Sequence, residues 1–231
     1  MKIILITFLS VLLICCNKSN EENNFKKHSN EVENIAICDT IEFYSDSTNF
    51  GAKTKNKIDI YKIVTNQNTF IKLFLYKKDN SLWVLNDSLK VDGDFINKLN
   101  CEISDFNNDN LKDLLFVSGT AARGGNVVQT LVLYSNEKLK WIKNSENYPN
   151  LMYNKKLDCI DAFILTGGNT TCFLKIENDS LTEFARVEQR DELITSEVLE
   201  KNGKWKELSK VKDYSEDMKR FVNYNPLQER E

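Results

Sequence analysis

The segment Asp105-Phe106-Asn107-Asn108-Asp109-Asn110-Leu111-Lys112-Asp113 carries the densest set of chemically capable side chains in this sequence. Its side-chain oxygens fall at relative positions 1, 3, 5 and 9, and the backbone carbonyl of Leu111 would fill position 7. Alternate residues of a tight loop can point inward together, so this spacing can gather Asp105, Asn107, Asp109 and Asp113 around one centre. Oxygen donors suit a hard cation, and calcium takes six to eight of them at about 2.3–2.6 Å. The expected cofactor is therefore calcium, held by Asp105, Asn107, Asp109, Leu111 and Asp113. Asn110 stands where such loops normally carry glycine, and asparagine is among the few residues that tolerate a left-handed backbone. An EF-hand is excluded, because its twelfth position would be Phe116 instead of glutamate. The competing reading is an Asp/Asn-rich turn ahead of a strand that binds nothing.

The loop runs straight into Leu114–Val117, one of many short runs rich in β-branched and aromatic residues. The others are Lys57–Val64, Phe70–Tyr76, Ser81–Leu85, Val127–Tyr134, Ile160–Leu165, Cys172–Ile176, Leu181–Arg186 and Leu193–Leu199. In Val127–Tyr134 both alternating sets, Val128/Thr130/Val132/Tyr134 and Val127/Gln129/Leu131/Leu133, look partly buried. Turn signals separate the runs at Lys78-Asp79-Asn80, Gly167-Gly168-Asn169, Asn178-Asp179-Ser180 and Asn202-Gly203. Such spacing suits hairpins, so the expected fold is all-β: antiparallel meanders in a β-propeller-like or partly open β-array. Tyr214–Tyr224, with Met218, Phe221 and Val222, reads as a short helix.

An oxygen-lined loop followed by an apolar strand resembles the D-x-N-x-D-G-x-x-D calcium loop of FG-GAP and VCBS-type propeller repeats. From about Cys101 to Lys204 the order of features is similar to a narrower group. A glycine-rich segment, Gly119 through Arg123, Gly124, Gly125 and Asn126, follows the loop. Then come Leu133-Tyr134, Trp141, Tyr148-Pro149-Asn150, Asp158-Cys159-Ile160, the Gly167-Gly168 hairpin and the run from Leu181 to Gln189. This resembles exported lipoproteins of the type I lysozyme-inhibitor and antibacterial-toxin-immunity group. The resemblance implies a periplasmic inhibitor of a peptidoglycan-cleaving enzyme. It also implies that Ser118-Gly119 belongs to a partner-binding loop with Arg123, Gly124, Gly125 and Asn126. A guanidinium such as that of Arg123 could meet the carboxylate pair of a glycosidase cleft. Residues 34–100 match no motif.

Catalysis has little to use. The sole histidine, His28, lies near the N-terminus, and there is no G-x-S-x-G elbow, Walker or Rossmann glycine signature. Glu188, Asp191 and Glu192 read as a solvated turn, and Trp83, Trp141 and Trp205 as core or sugar-stacking residues. The chain is therefore expected to be no enzyme. A formal net charge of −3 gives no basic excess for nucleic acid. Cys38, Cys101, Cys159 and Cys172 could form two disulfides, in any of three pairings, or remain thiols; no CxxC suggests zinc.

The N-terminus sets the compartment. Ile3–Ile14 is apolar apart from Thr7 and Ser10, follows Lys2 and stops at Cys15-Cys16. That is a secretory signal, too short for a membrane span of about 20 apolar residues. Leu13-Ile14-Cys15-Cys16 resembles a bacterial lipobox, which implies acylation of Cys16 and a membrane anchor in the cell envelope, most readily the outer membrane. The expected organisation is a signal peptide at 1–15, a lipidated flexible tether at 16–33 and one β-rich domain at 34–231. The tether, rich in Asn, Lys, Glu and Ser, has a coil span of roughly 20–25 Å. The function expected is a non-catalytic binding lipoprotein, with a surface- or glycan-binding lipoprotein as the alternative.

Overall fold

The computed structural model describes residues 38–215 and 217–231. The expected signal peptide at 1–15, Cys16, His28 and the expected tether at 16–33 lie outside them. Sixteen strands form among the described residues, all paired antiparallel, and the only helical segments there are two 3-10 turns.

The first sheet is a four-stranded meander in chain order: β1 (Cys38–Asp46), β2 (Asn56–Thr65), β3 (Thr69–Asp79) and β4 (Leu82–Asp92). Its alternation is direct: Ile58 and Ile60 pair with Leu75 and Leu73, all four fully buried, whereas Lys57 and Tyr61 lie on the other face. The second sheet repeats the plan with β5 (Glu102–Ser104), β6 (Asp113–Ala121), β7 (Asn126–Ser135) and β8 (Lys138–Trp141). A third sheet has six strands in continuous order: β9 (Met152–Asn154), β10 (Cys159–Leu165), β11 (Asn169–Glu177), β12 (Ser180–Arg190), β13 (Leu193–Leu199) and β14 (Trp205–Lys212). A hairpin of β15 (Phe221–Tyr224) and β16 (Leu227–Glu229) completes the chain. Successive meanders give blade-like connectivity, and the sheets stay open at their edges. The all-β, partly open array is thus present.

The second sheet sits between two cores. Leu114, Phe116, Val132 and Tyr134 pack with Ile58, Ile60, Ile71 and Leu73 of the first sheet. Leu115, Leu131 and Leu133 face the other way, onto Ile160, Leu174 and Leu181 of the third. This is why both faces of the Val127–Tyr134 run are apolar. Each buried aliphatic or aromatic side chain there contributes about 1.5–3 kcal/mol by leaving water.

Tight turns set the register. Asn80-Ser81, Asn136-Glu137 and Asp191-Glu192 all take positive φ at both central positions, which matches the twist of two-residue hairpins. At the Asn178-Asp179 turn only Asn178 has positive φ, so this hairpin does not share the type I′ geometry.

The helix expected over Tyr214–Tyr224 is absent. Phe221 and Asn223 are buried while Val222 and Tyr224 are half-buried, a period of two, and the segment pairs with β16. The amide of Phe221 donates to Thr171 Oγ1 at 3.1 Å, and Tyr214 and Met218 are exposed. Tertiary pairing overrides the local pattern.

Candidate functional site

The Asp105–Asp113 loop joins β5 to β6 and is tied to the first sheet by a backbone bridge between Gly51 and Lys112. Asn110 has φ +67°, the left-handed conformation its glycine-like position called for, and Asn108 has φ +59°. Asp105 accepts from the amides of Asp109 and Asn110 at 3.2 and 2.9 Å. Asp109 Oδ1 accepts from the amide of Leu111 at 2.8 Å, and its Oδ2 from the Asn107 side chain at 2.9 Å. The loop is thus folded by its own carboxylates.

Asp113 differs from the other two. It is fully buried, with one carboxylate oxygen accepting from the amide of Phe106 and the other from that of Tyr134, both at 2.9 Å. It therefore fastens the loop to β7. Burial pushes its carboxyl up to about 7; the two amides pull it down, and the charges of Asp109 and Asp105 add to the rise. Among the described residues, none of Asp105, Asp109 and Asp113 forms an ion pair with a lysine or arginine.

The donor set is all oxygen, which fits a hard cation in kind. Yet among the described residues no three Cys, His, Asp or Glu side chains converge closely enough to hold a metal. A cation here would need the Asn107 and Leu111 carbonyls as well, and Asp105 and Asp109 would have to share their oxygens between it and the loop amides.

The glycine-rich segment is not the long loop its composition suggested. Gly119 lies within β6, paired with Val128, and Asn126 begins β7, paired with Ala121. Ser118 sits at the bulge of β6, and its buried Oγ has no partner among the described residues. Asn126 is a clamp to the third sheet: its side chain donates to Leu165 O at 3.1 Å and accepts the Leu165 amide at 2.9 Å. A Cβ at Gly125 would stand 2.7 Å from Leu165 Cδ1, so a larger residue there would have to push the end of that side chain aside. Ala122 to Gly125 form the exposed tip between the two strands, with Ala122, Arg123 and Gly124 at positive φ. Of the predicted partner-binding residues, Arg123, Gly124 and Gly125 are presented outward, Gly119 is half-buried in β6, and Ser118 and Asn126 are turned into the structure.

Beside the Asp105–Asp113 loop, between the second and third sheets, opens a cleft of about 380 Å³. Its floor is Leu133, Ile160 and Leu174, and its rim includes Asn107, Lys140, Asp158 and Lys175. Asp158 is held by Tyr153 Oη at 2.6 Å and reached by Asn108 Nδ2 at 3.3 Å, which links the loop to the cleft. No spacing in the sequence marked this cleft.

Nor was the most heavily paired carboxylate marked. Asp161 on β10 is fully buried and bound by Arg220, whose Nε lies 2.8 Å away, and by Arg230. Burial lowers the pKa of Arg220 and the Asp161 charge opposes that. The four cysteines among the described residues are free thiols: Cys159 and Cys172 face different cores, Cys38 is exposed and Cys101 is half-buried. Burial pushes Cys101 and Cys159 up to about 12, so neither is a ready nucleophile. Trp141 packs on the first core, Trp205 stacks under the Arg186 guanidinium at 4.2 Å, and Trp83 lies at the end of the first sheet.

No family model matches the chain, and no curated protein matches it. Among solved structures, it is similar to a Xanthomonas type IV secretion system related protein, at 12% identity and a TM-score of 0.45, over 75% of this chain and 99% of that one.

Proposed function

We propose that this chain is an exported, lipid-anchored binding module, not a catalyst, in which calcium at Asp105–Asp113 fixes the second sheet. One observation carries the calcium reading: a fully buried Asp113 and two neighbouring aspartates share a loop in which none of the three carboxylates forms an ion pair among the described residues, Lys112 of the same loop included. The positive φ of Asn110 at the glycine position supports it. The export and anchor reading rests on Lys2, the Ile3–Ile14 run and Cys16.

The finer reading is inhibition of a peptidoglycan-cleaving enzyme. Its support is the β6–β7 tip, where Arg123 is exposed on a narrow turn and forms no hydrogen bond or ion pair among the described residues. A projecting guanidinium can enter a cleft and pair with a carboxylate in a bidentate manner. Glycan binding is a second reading, favoured by the cleft with its amide, lysine and carboxylate rim.

Calorimetric titration with calcium tests the first step. With a dissociation constant of about 10⁻⁴–10⁻³ M, millimolar calcium stabilises the fold by about 1 kcal/mol. Asp109→Ala should abolish both the heat and the melting shift; a wild type without either has no calcium site. Cell-wall turbidity assays with several lysozymes and lytic transglycosylases test the second. Inhibition lost on Arg123→Ala supports the tip. Binding of purified glycan without inhibition, lost on Lys175→Ala, favours the cleft.

A further inference from the structure

The end of the first sheet exposes an apolar hairpin that the preceding reading does not use. In β4, Leu82, Val84 and Leu85 are 71%, 51% and 54% exposed, and Trp83 lies between them. Their pairing is regular, Leu82 with Asp79, Trp83 with Lys78, Val84 with Lys77 and Leu85 with Tyr76. Alternation therefore puts Leu82 and Val84 on one face and Trp83 and Leu85 on the other. Three exposed aliphatic residues and a half-buried tryptophan in one run, with Leu82 and Val84 open on one face and Leu85 on the other, are an apolar patch left without cover. A partner sheet or helix could cover one face only. A fluid occupant, by contrast, can surround the tip from both sides.

Charge narrows the choice. The Lys78 ammonium lies 5.6 Å from the centre of the Trp83 ring, and the Lys78 amide donates to the carbonyl of Lys55 at 2.9 Å. That contact brings the turn carrying Lys53 and Lys55 alongside the tip. Among the described residues, Lys53, Lys55 and Lys78 form no ion pair, whereas Lys57 and Lys77 are matched by Asp59 and Glu137. Asp79 is the acid that opposes them at the turn. Apolar residues with a tryptophan, ringed by lysines, match the boundary between acyl chains and anionic headgroups.

We propose that the β3–β4 hairpin docks into the headgroup–acyl boundary of a lipid bilayer, with Leu82, Trp83, Val84 and Leu85 immersed and Lys55 and Lys78 meeting anionic headgroups. This contact is independent of any N-terminal lipid and would orient the domain on the membrane.

The test uses the full chain with unilamellar vesicles of phosphatidylcholine, with or without phosphatidylglycerol, carrying brominated acyl chains. The Trp83 signal is taken as the difference between the wild type and Trp83→Phe. Expected are a blue shift and bromine quenching of that component. Leu82→Asp with Leu85→Asp should lose it, with partitioning falling about tenfold or more. Lys55→Glu with Lys78→Glu should weaken it on anionic vesicles only. The replaced side chains are exposed, and an unchanged melting temperature checks that the variants fold. Vesicle association without quenching of Trp83 overturns the proposal while leaving the N-terminal anchor intact. Trp83 shielded without vesicles, with a dimer in sedimentation that Leu82→Asp dissociates, also overturns it and makes the tip a protein interface.

Discussion

Asp113 and Asp161 are both fully buried aspartates on strands of adjoining sheets, and the chain treats them in opposite ways. Asp161 meets two guanidinium groups, and Arg220 goes on to donate to the carbonyl of Asn150 at 2.8 Å. Asp113 meets two backbone amides and, farther out, the negative charges of Asp105 and Asp109. A buried charge must be paired, hydrogen-bonded or protonated. At Asp161 the pairing is internal and fastens the β15–β16 hairpin to the third sheet. At Asp113 the hydrogen bonds are internal, and the proposed calcium ion is what would complete the balance. One aspartate is closed structure; the other is where the proposed ion would act on stability.

The largest effect should come from opening the closed site. Asp161→Ala leaves Arg220 and Arg230 poorly solvated without their anion, and the expected loss is about 3–5 kcal/mol in urea unfolding. A loss below about 1 kcal/mol would mean that the arginines relax into solvent and that the two sites differ less than their geometry suggests. Next in size is Asp113→Asn. Its side-chain NH₂ must face the amide of Phe106 or Tyr134, donor against donor, at a cost of about 1–3 kcal/mol. The calcium-dependent melting shift should vanish with it. A protein weakened instead at Arg230 should keep that shift in full, which calorimetry in calcium and in chelator can check.

The parts of this arrangement legible in the sequence were those carried by near neighbours. The apolar residues on both faces of Val127–Tyr134 marked a strand partly buried on both sides, and the left-handed Asn110 followed from its place in the loop. β1 and β14 were missed because their side chains are mostly exposed, so no apolar alternation marks them. The Gly119–Asn126 segment looked open because glycine content hides strand pairing that is made with another strand of the hairpin. Asp161 was invisible for a different reason. Its arginines stand 59 and 69 residues downstream, and only the docking of the C-terminal hairpin brings them together.

Glu183 on β12 is an intermediate case. It is half-buried, one carboxylate oxygen has no partner among the described residues, and burial raises its pKa while Arg186 and Cys172 lower it less. Because the folded carboxyl holds its proton more tightly than the unfolded one, its contribution is full below the ordinary glutamate range. It is lost as pH rises through the raised folded value. Glu183→Gln should therefore gain on the wild type as pH climbs from about 4.5, by less than about 1 kcal/mol once screening is allowed for. Urea midpoints across acid to neutral pH measure this. A difference independent of pH would place the carboxylate in water.

The smallest effect belongs to Asn110→Gly. The backbone at φ +67° costs an asparagine little and a glycine nothing, while glycine gains freedom in the unfolded chain. These terms nearly cancel, so stability should move by no more than about 0.5 kcal/mol in either direction. Calcium affinity should stay the same, because the Asn110 side chain supplies none of the proposed ligands. A fall in affinity with unchanged stability would give that side chain a place in the coordination shell. It would also shift the contrast with Asp161 from charge balance alone to the shape of the loop that holds the charge.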